Sequence, residues 1–351
     1  MFRIFFAALF LATGTAFAVE ETQPGSRAPK LVKDREKVLS FFAENVYGVR
    51  PDFSGFAREE KILREEKIDS PASRRITVRI NTPTPLGTTN FTATVYVPEG
   101  DGPFPVFVMP GFPTPTREFL FAHKGKEPRW PVDIIVPRGC ATMTFVLDDV
   151  LKDDEHVLDG IERAPNAWGA ISTWAYATSR CVDWLETQSW ADKEKFAVVG
   201  LSRLGKTALW AGATDERFAM VCPTCSGLFG ARMATRNLGG ETIERITRVF
   251  PHWFAPQCRE KWSGKDYELP FDQHWLLAAV APRLLAVGSA WEDWWACPPG
   301  EMASVFLARE AWEDKSRCDY HIRDGKHGLT PEDWKVYLDF AERHGWTSSP
   351  R

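Results

Sequence analysis

A serine follows a short apolar run and precedes an amphipathic stretch in Val198-Val-Gly200-Leu-Ser202-Arg203-Leu-Gly205-Lys206-Thr207. On a tight turn from strand to helix, a serine hydroxyl stands clear of the sheet. The helix dipole and free N–H groups then favour negative charge beside it. That chemistry is nucleophilic attack on a carbonyl. A serine can instead cap a helix start, but its place between a buried strand and a helix favours the nucleophile. The spacing departs from Gly-x-Ser-x-Gly, because Leu204 stands where the second glycine would be and Gly205 comes one later.

A serine nucleophile needs a base, and the base needs an orienting acid. Where the serine occupies such a turn, the chain order is serine, acid, histidine. The histidines after Ser202 are His252, His274, His321, His327 and His344. His321 falls in an apparent strand, Asp319 to Arg323, and reads as structural. His344 ends a surface helix, where a cation suits the dipole. His327 lies in Asp324-Gly-Lys-His-Gly328, a loop in which flanking glycines let a ring swing over Ser202, and it is the predicted base. The acid is expected in Gly288-Ser-Ala-Trp-Glu292-Asp293-Trp-Trp295. The sequence leaves open whether Asp293 or Glu292 fills that role, and the flanking tryptophans suggest a walled cleft.

Positioning these residues requires strands that end on one rim. Period-two alternation at Arg75–Ile80 and Phe91–Val97 predicts strands. Short apolar runs at 105–109, 141–146, 196–199, 219–221 and 284–287 predict buried strands. A helical stripe runs through Trp168, Ile171, Ala175, Cys181 and Leu185, and further helices are predicted at 204–213 and 331–344. The charged segment 36–75 is expected to be helical in parts. Strands alternating with helices imply a mainly parallel sheet covered on both faces, a three-layer αβα sandwich.

The chain has 351 residues, 44% of them hydrophobic and 26% charged, with a formal charge of −4. This describes a packed globular protein and argues against a nucleic-acid binder. Residues 1–18 have a positive start, a short apolar core and an Ala-Phe-Ala ending, the layout of a secretory signal peptide cleaved after Ala18. The remaining 19–351 reads as one domain, secreted or periplasmic and monomeric. No later stretch is apolar enough for a membrane helix. Export permits disulfides, yet the seven cysteines are odd in number and several are expected to be buried thiols. Cys222-Pro-Thr-Cys225 lacks a second pair or a partner histidine, so no metal site is predicted and no cofactor is called for.

The run Gly200-Leu-Ser-Arg-Leu-Gly-Lys206 resembles the G-x-S-R-x-G-K turn of the glucuronoyl esterases, carbohydrate esterases (family fifteen) of the α/β-hydrolase fold. Trp168-Gly-Ala-Ile-Ser, Ala208-Leu-Trp-Ala-Gly-Ala, Phe250-Pro-His-Trp-Phe, Pro270-Phe-Asp-Gln-His, Gly325-Lys-His and Asp333-Trp agree, above all with its bacterial branch. The resemblance is dense over about 130–345. It implies cleavage of an ester between a (4-O-methyl-)glucuronic acid branch of xylan and a lignin alcohol, so glucuronoxylan or a lignin–carbohydrate ester is the expected partner. By the same resemblance Ser202 is the nucleophile and His327 the base. Arg203 helps to hold the oxyanion, while Lys206, Glu241 and Trp295 contact the sugar.

Three positions depart from the family pattern. Cys225 stands where many members carry a catalytic Glu. A neutral thiol cannot do that work, so the acid must come from the later loop, where Asp293 matches the family's alternative acid and Glu292 is adjacent. Leu201 stands where His or Cys is common, and Gly328 where Asp is common. Two other readings follow: an acetyl esterase acting on xylan with the same triad, and a secreted carbohydrate-binding protein without activity, which Cys225 motivates.

Overall fold

The computed structural model describes residues 28–113, 128–236 and 238–346. Residues 1–18, expected to be a signal peptide, lie outside them. In chain order the elements that matter are helix α1 (Arg35–Phe42), β1 (Glu60–Asp69), β2 (Ala72–Thr84), β3 (Gly87–Pro98), β4 (Phe104–Gly111) and β5 (Ala141–Val146). Then come α2 (Ala170–Leu185), β6 (Ala191–Leu201), α3 (Arg203–Thr214), β7 (Phe218–Thr224), β8 (Leu284–Ala290), α4 (Pro298–Ala308), β9 (Cys318–Arg323) and α5 (Pro331–Arg343). Short helices at Ile243–Val249, Pro256–Trp262 and Gln273–Ala278 fill the long excursion between β7 and β8.

The strands form one sheet in the order β1-β2-β3-β5-β4-β6-β7-β8-β9. The pairs β1–β2, β2–β3 and β3–β5 are antiparallel. All the others are parallel. Strand β6 shows how the layers arise. Its residues alternate, with Phe196 and Val198 in the core beneath α2 and α3. Ala197, Val199 and Leu201 lie in the core beneath α5. A strand apolar on both faces must be covered twice, and the result is the expected three-layer sandwich.

The charged segment 36–75 is helical in part, as expected, over Arg35–Phe42 and Ala43–Tyr47, while Glu60–Asp69 is a largely exposed edge strand. Its charges pair across the ladder instead of along a helix. Arg74 donates to Glu65 at 3.0 Å and Arg75 to Glu66 at 2.7 Å, opposite-charge neighbours of the kind that stabilise a two-stranded pair. All seven cysteines are buried free thiols. No helix among the described residues is long and apolar enough to cross a membrane.

Candidate active site

Ser202 sits between β6 and α3 at φ 60°, ψ −124°. A non-glycine residue at positive φ is strained and must be held by its surroundings. Here the Ser202 N–H donates to the Thr224 carbonyl of β7 at 2.9 Å, and the Ser202 carbonyl accepts from the Lys206 N–H at 3.0 Å. The two nearby glycines make the turn possible. A Cβ on Gly200 would come within 2.0 Å of the Leu204 carbonyl oxygen, and one on Gly205 within 2.9 Å of Ser226 Cβ. The glycine displaced by one position in the sequence therefore still serves close approach, against the segment after β7.

His327 and Asp293 come from the loops after β9 and β8. His327 Nδ1 lies 2.5 Å from Asp293 Oδ2. The imidazole is 42% exposed and the carboxylate 3%. Burial acts to raise the Asp293 pKa, but His327 and the Ala296 N–H outweigh it, and the carboxyl lies below its ordinary range. Glu292 is exposed, and its backbone N–H donates to the Gly325 carbonyl at 3.0 Å. Of the two acids the sequence left open, Asp293 is the one bonded to His327.

Ser202, Arg203, Lys206, Glu241, Asp293, Trp295 and His327 line a single cleft of about 320 Å³. Trp295 is 48% exposed at its rim, and Arg245 covers one of its faces at 4.7 Å. Trp294 points to solvent and does not line the cleft. The other histidines after Ser202 have partners elsewhere. His252 bonds Asp153, His274 the Pro29 carbonyl, His321 Asp333 and His344 the Ser316 carbonyl.

The two polar sugar-side candidates, Lys206 and Glu241, are buried. Lys206 Nζ donates to the Ser226 carbonyl at 2.5 Å. Burial pushes its ammonium down to about 8, while Glu241 and Glu301 oppose that shift. Glu241 is 4% exposed, its pKa is raised by burial, and its Oε1 has no partner among the described residues. A buried acceptor facing a cleft without a partner costs stability unless a ligand meets it.

Sequence reasoning missed two acids. Glu301 on α4 is fully buried; it accepts from Ser226 Oγ at 3.1 Å, the Gly227 N–H at 2.9 Å and Ser289 Oγ at 2.5 Å. It thereby holds the turn whose carbonyl Lys206 grips. Asp153 accepts from Arg203, His252 and Trp253. Both acids look like ordinary surface charge in the sequence: Glu301 follows Pro298-Pro-Gly, and Asp153 sits in the acidic run Asp148 to Glu155.

Cys225 takes φ 45°. Its thiol faces the Gly328 carbonyl at 3.7 Å, and burial pushes it well up. Among the described residues, Cys225, Asp293 and His327 are the three metal-ligand types found together, their ligand atoms within 4.8 Å of one another. Two of the three are already engaged with each other.

A model of the glucuronyl esterases, described from fungi, matches residues 80–315. The chain belongs to this family. A solved glucuronoyl esterase from Solibacter usitatus is 28% identical, with a TM-score of 0.78 over 92% of this chain and 98% of that one. A promiscuous CE15 esterase from a marine bacterial metagenome is 30% identical, with a TM-score of 0.76 over 88% and 91%. Carbohydrate esterase MZ0003, from an unknown prokaryotic organism, is 37% identical over 62% of this chain and 56% of its own length. A 4-O-methyl-glucuronoyl methylesterase of Podospora anserina is 31% identical over 52% and 41%. The chain thus spans about half the length of these two curated relatives. As a glucuronyl esterase family member it has the α/β-hydrolase fold. The family match covers β6 to β8 with Ser202, Lys206, Glu241 and Asp293; His327 lies beyond it.

Proposed function

We propose that the chain is a serine-dependent carboxylic ester hydrolase that cleaves esters of glucuronic acid. Its substrate is the ester between (4-O-methyl-)glucuronate branches of xylan and lignin alcohols. The observation that carries this reading is the His327–Asp293 contact in the same cleft as Ser202 and Glu241, whose Oε1 has no partner among the described residues. The names of the relatives, glucuronoyl esterase and 4-O-methyl-glucuronoyl methylesterase, support the acyl group.

The ionised Asp293 keeps the imidazole proton on Nδ1, so Nε2 carries the lone pair that takes the Ser202 proton. Ser202 Oγ then attacks the uronate carbonyl. Its oxyanion forms at the start of α3, where backbone N–H groups lack helical partners, and the Arg203 guanidinium supports it. One such donor is worth about 3–4 kcal/mol. His327 returns the proton to the leaving alcohol, and water releases the acid by the same steps. Lys206 and Glu241 meet sugar hydroxyls, and Trp295 offers an indole face to the ring. Residues 1–18 direct export, and 19–351 acts as a monomeric single domain.

An acetyl esterase acting on xylan would use the same three residues. The buried Lys206 and Glu241 would have no task on an acetyl group, which favours the uronate. The test is hydrolysis of benzyl glucuronate against nitrophenyl acetate. Turnover of the uronate should vanish in Ser202→Ala, and preference for it should disappear in Lys206→Ala. Substantial esterase activity in Ser202→Ala would overturn the mechanism; a parent enzyme faster on the acetate would overturn the substrate. Xylan binding with no hydrolysis of either ester would instead mark a non-catalytic binding protein.

A further inference from the structure

Asp153, in the loop after β5, receives three donors on two oxygens. Oδ1 accepts from His252 Nε2 at 2.9 Å and Trp253 Nε1 at 2.7 Å. Oδ2 accepts from Arg203 Nη1. The Asp153 side chain is 10% exposed, that of His252 1%, and the guanidinium side chain 29%. Arg203 lies against aromatic rings, 5.0 Å from Trp253, 5.5 Å from Phe250 and 5.8 Å from Phe112. Phe250 and Trp253 are themselves stacked at 3.8 Å and 2°. Burial holds His252 down to about 4, so it is a neutral donor and adds no charge. The assembly therefore joins one anion, one cation and two neutral ring N–H groups.

This arrangement has a direction. His252 and Trp253 occupy one carboxylate oxygen and fix the plane of the group. The second oxygen takes a single guanidinium nitrogen. Arg203 Nε has no partner among the described residues. A long side chain free to sample many rotamers would have to be ordered as the oxyanion forms, whereas a preorganised donor needs no such ordering.

We propose that Asp153 is the positioning residue of Arg203, fixing Nη1 so that the remaining guanidinium N–H groups stay turned to the cleft. This rests on the reading of Arg203 as an oxyanion donor. Asp153→Asn is a selective probe. Its amide oxygen can still serve His252 and Trp253, which turns the amide NH2 toward Arg203, donor against donor.

With benzyl glucuronate, Asp153→Asn should lower kcat by about 10-fold to 100-fold, the scale of a misplacement of about 1 Å, with KM little changed and the melting temperature kept. In an Arg203→Ala background the same change should lower kcat no further, because both act through one group. A kcat that stays level or rises in Asp153→Asn, or losses that add in the double variant, would overturn the inference. If Arg203→Ala alone leaves kcat intact, the oxyanion reading falls and takes this inference with it. Should Asp153→Asn fail to fold, Trp253→Phe removes one of the three donors while keeping a ring. A smaller kcat loss is then expected, again absent when Arg203 is Ala, and a loss that persists there would overturn the inference.

Discussion

The His327 imidazole and the Asp293 carboxylate meet at 2.5 Å although they enter from different loops, after β9 and β8. Neighbouring parallel strands end on one rim of the sheet, and residues 34 positions apart in the chain become a hydrogen-bonded pair there. The first prediction follows. Asp293→Asn should lower kcat by about 10⁴-fold, as expected when the histidine is held in the wrong tautomer. Glu292→Gln should leave kcat unchanged. Steady-state kinetics of the two variants on one ester decide between them.

The proposed sugar contact of Lys206 predicts a pH dependence of substrate affinity. Burial holds its ammonium at about 8, below the ordinary 10.5. Below about 8 the group is a charged donor, and above it that charge is lost. KM for a uronate ester should therefore rise as pH passes upward through about 8. Lys206→Met should raise KM by about 10-fold or more, the scale of a lost hydrogen bond to a charged group, and flatten the profile. KM measured from pH 6.5 to 9 tests both.

Glu301 sets a pH dependence on stability. Burial raises its carboxyl from the ordinary 4.5 to about 7. Between those values the unfolded chain gives up a proton that the fold retains. The stabilisation is complete below about 4.5 and is lost as pH rises to about 7. Glu301→Gln keeps an acceptor for Ser226 and Gly227 and gains a donor for Ser289. It should match the parent near pH 4.5 and exceed it near pH 8 by on the order of 2 kcal/mol. Melting curves at the two pH values give the answer.

The thiols predict chemical inertness. All seven are buried and unpaired. A neutral thiol reagent at pH 7 should label none of them in the folded protein and should leave ester hydrolysis intact, because the thiolate is the reactive form and access is closed. In denaturant all seven should react. A thiol count with and without denaturant is the measurement, and rapid inactivation of the native protein through Cys225 would contradict it.

Much of this was legible in the sequence, and the reason is local. The elbow at Gly200–Lys206 writes strand, turn and helix start into consecutive residues. The loop holding Asp293 follows the apolar run of a buried strand, and the loop holding His327 follows the mixed strand Cys318–Arg323. What stayed hidden depends on distant partners. Edge strand β1 carries charges that look helical until Arg74 and Arg75 are set opposite Glu65 and Glu66. Asp153 belongs to an acidic run, and only the fold brings Arg203, His252 and Trp253 to it. Glu301 reads as surface charge until α4 buries it behind the Ser226–Gly227 turn. Asp293 and Glu292 are adjacent in the chain, and the turn after β8 alone decides which faces inward.

Asp293 and Trp295 are two residues apart on one tight turn. The Asp293 carbonyl accepts from the Cys297 N–H at 3.1 Å, and the Trp295 carbonyl from the Glu241 N–H at 3.3 Å. The proposed orienting acid and the indole proposed to meet the sugar thus share one rigid piece of backbone. Widening the cleft from this side for bulkier acyl groups would disturb proton transfer along with fit.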